Sequence, residues 1–152
     1  MKRTEHNLQA AFIEWTEWST GTMAELGAVY AIINEGKRGR RQNPKTGRWY
    51  STEGAKFVRQ GMKAGMPDVC VPVPRGGYGA LYIEFKKPGE KSRPEQVAVQ
   101  EKLRDAGNLV VEIDNLDDAI KTTTVYLKGG FVRPSTNGEC SSSHILTDSV
   151  KS

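Results

Sequence analysis

From Gly65 to Lys86 the chain reads GMPDVCVPVPRGGYGALYIEFK, two apolar alternating runs joined by a glycine-rich turn. That pattern specifies a β-hairpin. Gly65-Met66-Pro67-Asp68 makes an opening turn. Side chains alternate along a strand, so 69, 71 and 73 face one way and 68, 70 and 72 the other. Pro72 cannot donate to a ladder, so the first strand is short or at an edge. Arg75-Gly76-Gly77-Tyr78-Gly79 is the connection, and residues 80–86 form the second strand. Leu81, Ile83 and Phe85 share one face of it, and Tyr82, Glu84 and Lys86 share the other. In an antiparallel pair the start of the first strand lies beside the end of the second. Asp68 is therefore brought toward Glu84 and Lys86.

The remaining segments supply layers for this hairpin. Residues 4–18 read as a helix with Thr4 as N-cap and Leu8, Phe12 and Trp15 at helical spacing. Glu5 lies on that same stripe and needs a partner there, because an unpaired buried charge is costly. Trp15 and Trp18 are expected to be packing residues. Residues 28–34, AVYAIIN, read as a strand between Gly27 and Gly36. Turns at Asn43-Pro44 and Gly47 follow. Residues 53–63 read as a helix with Ala55, Val58 and Met62 on one face. Pro94 to Ala106 is a helix with proline in its first turn and Gly107 as its stop. Leu109 to Ile113 is a strand. Asn115 to Leu127 is a helix with Leu116, Ile120 and Leu127 inward. The strand-helix-strand passage permits a parallel pair. The expected fold is α/β, a mixed sheet with helices packed on it over residues 1–128. From Gly129 to Ser152 the chain is rich in Ser, Thr, Gly and Pro and reads as a loosely attached tail.

A chain of 152 residues suits one domain. No run of about 18 apolar residues is present, so no membrane span is expected. The start, MKRTEHNLQAAFIEW, lacks the apolar stretch of a signal peptide. Cys70 and Cys140 form no CxxC pair, which disfavours a zinc site or disulfide framework and fits a reducing cytoplasm. Neither His6 nor His144 has a second histidine at ligand spacing. The net charge of +4 is modest, but Lys37, Arg38, Arg40, Arg41, Lys45 and Arg48 are clustered without an intervening acid. Two readings of that segment stand: a grip on phosphates with Trp49 and Tyr50 near an unpaired base, or a solvated loop with the aromatics in the core. Lys87, Lys91 and Arg93 follow the second hairpin strand and are placed to touch a nucleic-acid backbone.

Two close carboxylates repel, and one is pushed to a raised pKa unless a cation sits between them. A hard divalent ion such as Mg²⁺ resolves the conflict with oxygen ligands. It also lowers the pKa of a bound water and offsets charge growing on a phosphate. Lys86 adds positive charge where that transition state needs it. Asp68, Glu84 and Lys86 thus suit phosphodiester hydrolysis. The plain alternatives are an Asp that only makes a turn and an ExK pair on a solvated strand face.

GMPD at 65–68, LYIEFK at 81–86 and Pro94-Glu95-Gln96 opening a helix together resemble the VRR-NUC family of PD-(D/E)xK nucleases, in particular its stand-alone, virus-type members. Ile33-Asn34-Glu35-Gly36-Lys37-Arg38 and Glu5 also resemble motifs of those members. The resemblance covers roughly residues 4–128. It implies a restriction-endonuclease-like fold, Mg²⁺ or Mn²⁺ dependence, and cleavage of DNA, branched forms such as four-way junctions included. It implies a homodimer. It further implies that Asp68 and Glu84 ligate the metal with the Phe85 carbonyl as a third ligand. Lys86 would orient the water or stabilise the transition state, Glu5 would complete the acidic cluster, and Gln96 would position Lys86 or the water. The basic insert over 38–50 falls outside it. Two further functions stay open from the residues: a DNA-binding module of this fold that does not cut, and a hydrolase acting on RNA or nucleotides.

Overall fold

A computed structural model describes residues 5–33, 41–42, 44–47, 49–50 and 52–134, with the side chains of 5, 6, 41, 42, 49, 50 and 52–55 outside that description. Thr4, Lys37, Arg38, Arg40, Asn43, Arg48, Cys140 and His144 lie outside it as well, as does most of the 33–38 motif.

The helices are α1 (Glu5–Ser19), α2 (Thr52–Arg59), α3 (Pro94–Asp105) and α4 (Leu116–Leu127), and a 3-10 helix runs over Ala24–Ala28. The strands are β1 (Tyr30–Ala31), β2 (Arg41–Gln42), β3 (Trp49–Tyr50), β4 (Val69–Val71), β5 (Leu81–Phe85) and β6 (Leu109–Ile113). Four of the strands make a sheet in the order β1-β4-β5-β6. β1/β4 and β4/β5 are antiparallel, and β5/β6 is parallel. This is the mixed α/β sheet of a restriction-endonuclease-like fold.

The β4–β5 connection closes on Gly76 and Gly77, both at positive φ (57° and 85°), with Arg75 bridged to Tyr78. Two successive left-handed residues are what a type I′ turn requires, and glycine meets that without strain. Arg75 then ties the turn down: its guanidinium donates to the Leu127 carbonyl at 2.9 Å and pairs with Glu25 at 2.8 Å.

One face of the sheet carries the apolar core. Val69, Val71, Leu81, Ile83, Phe85 and Ile113 pack against Leu8 and Phe12 of α1 and against Ala119, Tyr126 and Leu127 of α4. Phe12 is fully buried, its ring 5.5 Å from Trp15 and 5.8 Å from Phe85. Asn115 caps α4 by accepting from the Asp118 N–H at 2.8 Å, satisfying one of the orphan donors of the first turn.

Several expectations need correction. The strand expected over 28–34 is reduced to Tyr30–Ala31, preceded by the 3-10 turn. Its partner β4 ends at Val71, before Pro72, so there is little ladder to pair with. β4 is short as expected, yet it is interior rather than an edge. Arg41–Gln42 and Trp49–Tyr50 pair as a small antiparallel ribbon, which the turn signals alone did not reveal. Trp18 is 82% exposed and packs on nothing in the core. Val58 is exposed, and α2 ends at Arg59. The inner face of α4 is Ala119, Thr123, Tyr126 and Leu127; Leu116 is partly buried against the core, and Ile120 is only partly buried. Residues 131–134 are not loose: Phe131 packs on the core and the Arg133 N–H donates to the Gly76 carbonyl at 2.8 Å. Among the described residues no helix is long and apolar enough to cross a membrane.

Removing the Phe12 ring empties the α1–sheet contact. Phe12→Ala is expected to cost about 3–5 kcal/mol, seen in urea titration as a lower midpoint with an unchanged slope.

Candidate active site

The opposite face of the sheet is polar. Val69 pairs with Ile83, which sets Asp68 across from Glu84 at the end of the hairpin. Glu84 pairs in turn with Glu112 on β6. Three acidic positions therefore form a row across β4, β5 and β6.

Each is held differently. Asp68 is fixed by its own neighbour strand, its Oδ2 accepting from the Phe85 N–H at 2.8 Å. Its carbonyl accepts from the Ile32 N–H at 2.7 Å. Glu84 is buried (3% exposed), as is Lys86 (6%). Lys86 Nζ donates to Glu84 Oε1 and to Gln96 Oε1, each at 2.9 Å. Gln96 completes a closed triangle by donating from Nε2 to Glu84 Oε1. It also accepts from the Arg93 N–H at 3.0 Å, so the first turn of α3 and the site share one amide. Among the described residues Glu84 Oε2 has no hydrogen-bond partner, although it is buried.

An unpartnered carboxylate oxygen in a buried position is unfavourable, and the Glu84 carboxyl shows it. Burial pushes its pKa up to about 7, with the charges of Asp68 and Glu112 adding to the rise and the Lys86 hydrogen bond and charge opposing it. Glu112 goes the other way. Burial raises it, but hydrogen bonds from Ser92 and Gln100, with the charges of Lys86 and Arg104, together hold it below the ordinary carboxylate range. Gln100 donates to Glu112 at 2.8 Å, and Ser92 Oγ also donates to it.

The turn before Asp68 is shaped by α3. Gly65 has φ +80°, and a Cβ there would lie 2.7 Å from the Glu95 carbonyl. The backbone of the GMPD turn thus rests directly on the first turn of α3, next to Gln96. Pro67 behind it is fully buried.

Of the residues singled out in the sequence, Asp68, Glu84, Lys86 and Gln96 are brought together at one end of the sheet. Phe85 adjoins them through its backbone N–H, with its ring on the core face. Glu5 stands in the first turn of α1, its side chain outside the described residues. Among the described residues no group of three His, Cys, Asp or Glu side chains is arranged to hold a metal. Lys87, Lys91 and Arg93 are exposed on the loop between β5 and α3, and Lys45 is exposed in the turn of the β2–β3 ribbon. Arg41 lies in β2, and its side chain is outside the described residues. Ser92, Gln100 and Glu112 were missed. Two signals pointed to them: Gln96 and Gln100 at helical i, i+4 spacing, and a lone Glu in the apolar strand LVVEI.

The family model of the VRR-NUC domain matches residues 3–114. The chain belongs to the VRR-NUC family. A solved structure described as a VRR_NUC domain protein superimposes with a TM-score of 0.58 at 26% identity, covering 88% of this chain and 95% of that one. No curated protein matches. The VRR-NUC domain is a nuclease-type domain, so this chain is of the class of hydrolases acting on nucleic acid.

Two measurements probe this arrangement. A carboxyl raised to about 7 when folded, from an ordinary value of 4.5, favours the protonated form of the fold. In EDTA, stability is then full below about pH 4.5 and falls as pH rises through 7, by at most about 3 kcal/mol. The difference in unfolding free energy between pH 5 and pH 8 should shrink in Glu84→Gln. Separately, Gly65→Ala should lose about 1–3 kcal/mol to backbone strain and more to the clash with Glu95. Gly61→Ala, at φ +99° with nothing within 4 Å, should lose only the strain, which thermal unfolding of the pair will resolve.

Proposed function

We propose that this chain is a metal-dependent DNA endonuclease, hydrolysing phosphodiester bonds at the Asp68–Glu84–Lys86 end of the sheet. One observation carries the reading: Glu84 Oε2 is buried with no hydrogen-bond partner among the described residues, on a residue whose strand register sets it across from Asp68. Nothing in the fold explains an orphan carboxylate oxygen beside a second carboxylate, whereas a divalent cation does. The donor set is all oxygen, which suits Mg²⁺ or Mn²⁺. Asp68 and Glu84 would hold the ion, with the Phe85 carbonyl and Glu5 completing the set. When bound, it would supply a water of lowered pKa and offset charge on the phosphate.

The chain's own residues supply the rest. Lys86 keeps its ammonium at the edge of the carboxylates, with Glu84 and Gln96 as acceptors on the protein side. A third ammonium proton stays available for the attacking oxygen or for the phosphoryl oxygens as they gain charge. Gln96 fixes both Lys86 and Glu84 and ties them to the start of α3. The positive charges of Lys87, Lys91 and Arg93 on the adjoining loop, and the basic segment from Lys37 through Arg38, Arg40, Arg41 and Lys45 to Arg48, attract the phosphate backbone. A preference for branched DNA such as four-way junctions, and a homodimer whose two-fold axis matches the junction, follow from the resemblance to stand-alone VRR-NUC members.

The test is cleavage of labelled duplex, single-stranded, flap and four-way-junction DNA, with matched RNA substrates alongside, in Mg²⁺, Mn²⁺ or EDTA. Cutting is expected in the metals and not in EDTA. Lys86→Ala is expected to cut at least about 10²-fold more slowly while retaining DNA binding. Binding without cutting in either metal would leave a non-cleaving DNA-binding module, and cutting confined to matched RNA substrates would move the chain to RNA.

A further inference from the structure

A second row of side chains runs beside the acidic row on the same face of the sheet. Tyr30 pairs with Cys70, Cys70 with Tyr82, and Tyr82 with Val110. Along each strand this row is two residues from the acidic one, a separation of about 7 Å. Asp68 and Cys70 are therefore on one face of β4, as are Tyr82 and Glu84 on β5.

The two tyrosines are neither core nor solitary surface residues. Tyr30 is 50% exposed on the edge strand, and Tyr82 is partly buried on the neighbouring face of β5. Cys70, between them, is buried. Tyr30 and Tyr82 flank it on the two neighbouring strands, each in register with it. The pairing of β1, β4 and β5 places both side chains side by side before any ligand arrives, so less ordering is left to be lost on contact.

We propose that Tyr30, with Tyr82, forms a stacking subsite for an unpaired nucleobase one or two nucleotides from the scissile phosphate; this rests on the nuclease reading above. Every base has a π-face, and stacking on an aromatic side chain is a sequence-tolerant source of affinity for single strands. Tyr30 sits one strand spacing (about 4.8 Å) across and two residues (about 7 Å) along from Asp68, roughly 8 Å in all, a distance that one or two nucleotides of an extended single strand cover because an unpaired strand can stretch beyond the duplex rise of about 3.4 Å. A base inside a duplex has both faces occupied by its neighbours and cannot use this platform. A flap, a single-stranded end or the open centre of a branch presents a base that can. The subsite thus selects for strand opening next to the cut rather than for sequence.

The experiment places 2-aminopurine as an unpaired base beside a duplex–single-strand boundary and titrates it with the full chain in EDTA, where no cutting occurs. Fluorescence quenching and affinity are compared for wild type, Tyr30→Phe and Tyr30→Ala. Wild type and Tyr30→Phe should quench alike. Tyr30→Ala should lose the quenching and bind about tenfold more weakly, with a smaller loss on the same probe fully paired. Because Tyr30 is half exposed, the substitution leaves the core intact, and an unchanged far-ultraviolet spectrum checks it. Quenching and affinity unchanged in Tyr30→Ala would overturn the subsite while leaving the nuclease reading standing. Quenching that depends on Tyr30 in a protein that never cuts would keep the subsite and remove the nuclease. Failure of the wild type to bind any probe would remove both.

Discussion

Everything at the polar end of this sheet depends on how one buried carboxylate is accommodated. Glu84 is enclosed on the face opposite the core, and its two oxygens are treated differently. Oε1 receives Lys86 and Gln96, while Oε2 receives no hydrogen bond from the described residues. Removing either partner of a buried ion pair leaves an uncompensated charge and is strongly destabilising. The Lys86–Gln96–Glu84 triangle is therefore a fixed unit, and the elements that carry it, β5 and α3, are fixed relative to each other. The remaining oxygen carries the unfavourable part of that burial, to which the charge of Asp68 adds. The unfavourable burial sits in one group, and the apolar core on the other face holds it there.

The rest of the architecture serves that placement. The type I′ turn at Gly76-Gly77 sets the β4–β5 register, and the register decides that Asp68 and not its neighbour faces Glu84. The close backbone contact of Gly65 with Glu95 locks the same turn onto α3. Gln96 and Gln100 are the buried residues of α3, so this helix meets the sheet through hydrogen bonds rather than an apolar stripe. The helix is amphipathic in an unusual sense: its inward face is polar because the sheet face it covers is polar. Ser92, Gln100 and Arg104 extend the network to Glu112, binding the loop with Lys87 and Lys91 to the edge strand.

How much of this could be read in advance differs by element. The β4–β5 hairpin, α3, β6 and α4 were legible because each has its own punctuation: a Gly-Gly turn, a first-turn proline, a stop at Gly107, an Asn cap. The AVYAIIN run was misread in extent, since apolar content cannot say how long the partner strand will be. Trp18 lies exposed in the last turn of α1, because helical spacing gives a face but not how far along the helix the core extends. The small ribbon of β2 and β3 went unseen because its two-residue strands lie below the length at which alternation is a signal.

The sequence by itself determined the hairpin and, through strict alternation and antiparallel geometry, the meeting of Asp68, Glu84 and Lys86. These are local consequences of a short connection, where few residues separate the partners and the register has little freedom. Only the tertiary structure decided what surrounds them. The parallel pairing of β5 with β6 set Glu112 beside Glu84, and the two-residue β1 set Tyr30 beside Cys70. The docking of α3 turned Gln96 and Gln100 inward. These are contacts between elements far apart in the chain, chosen by the packing of the whole sheet, and no spacing within a single segment encodes them.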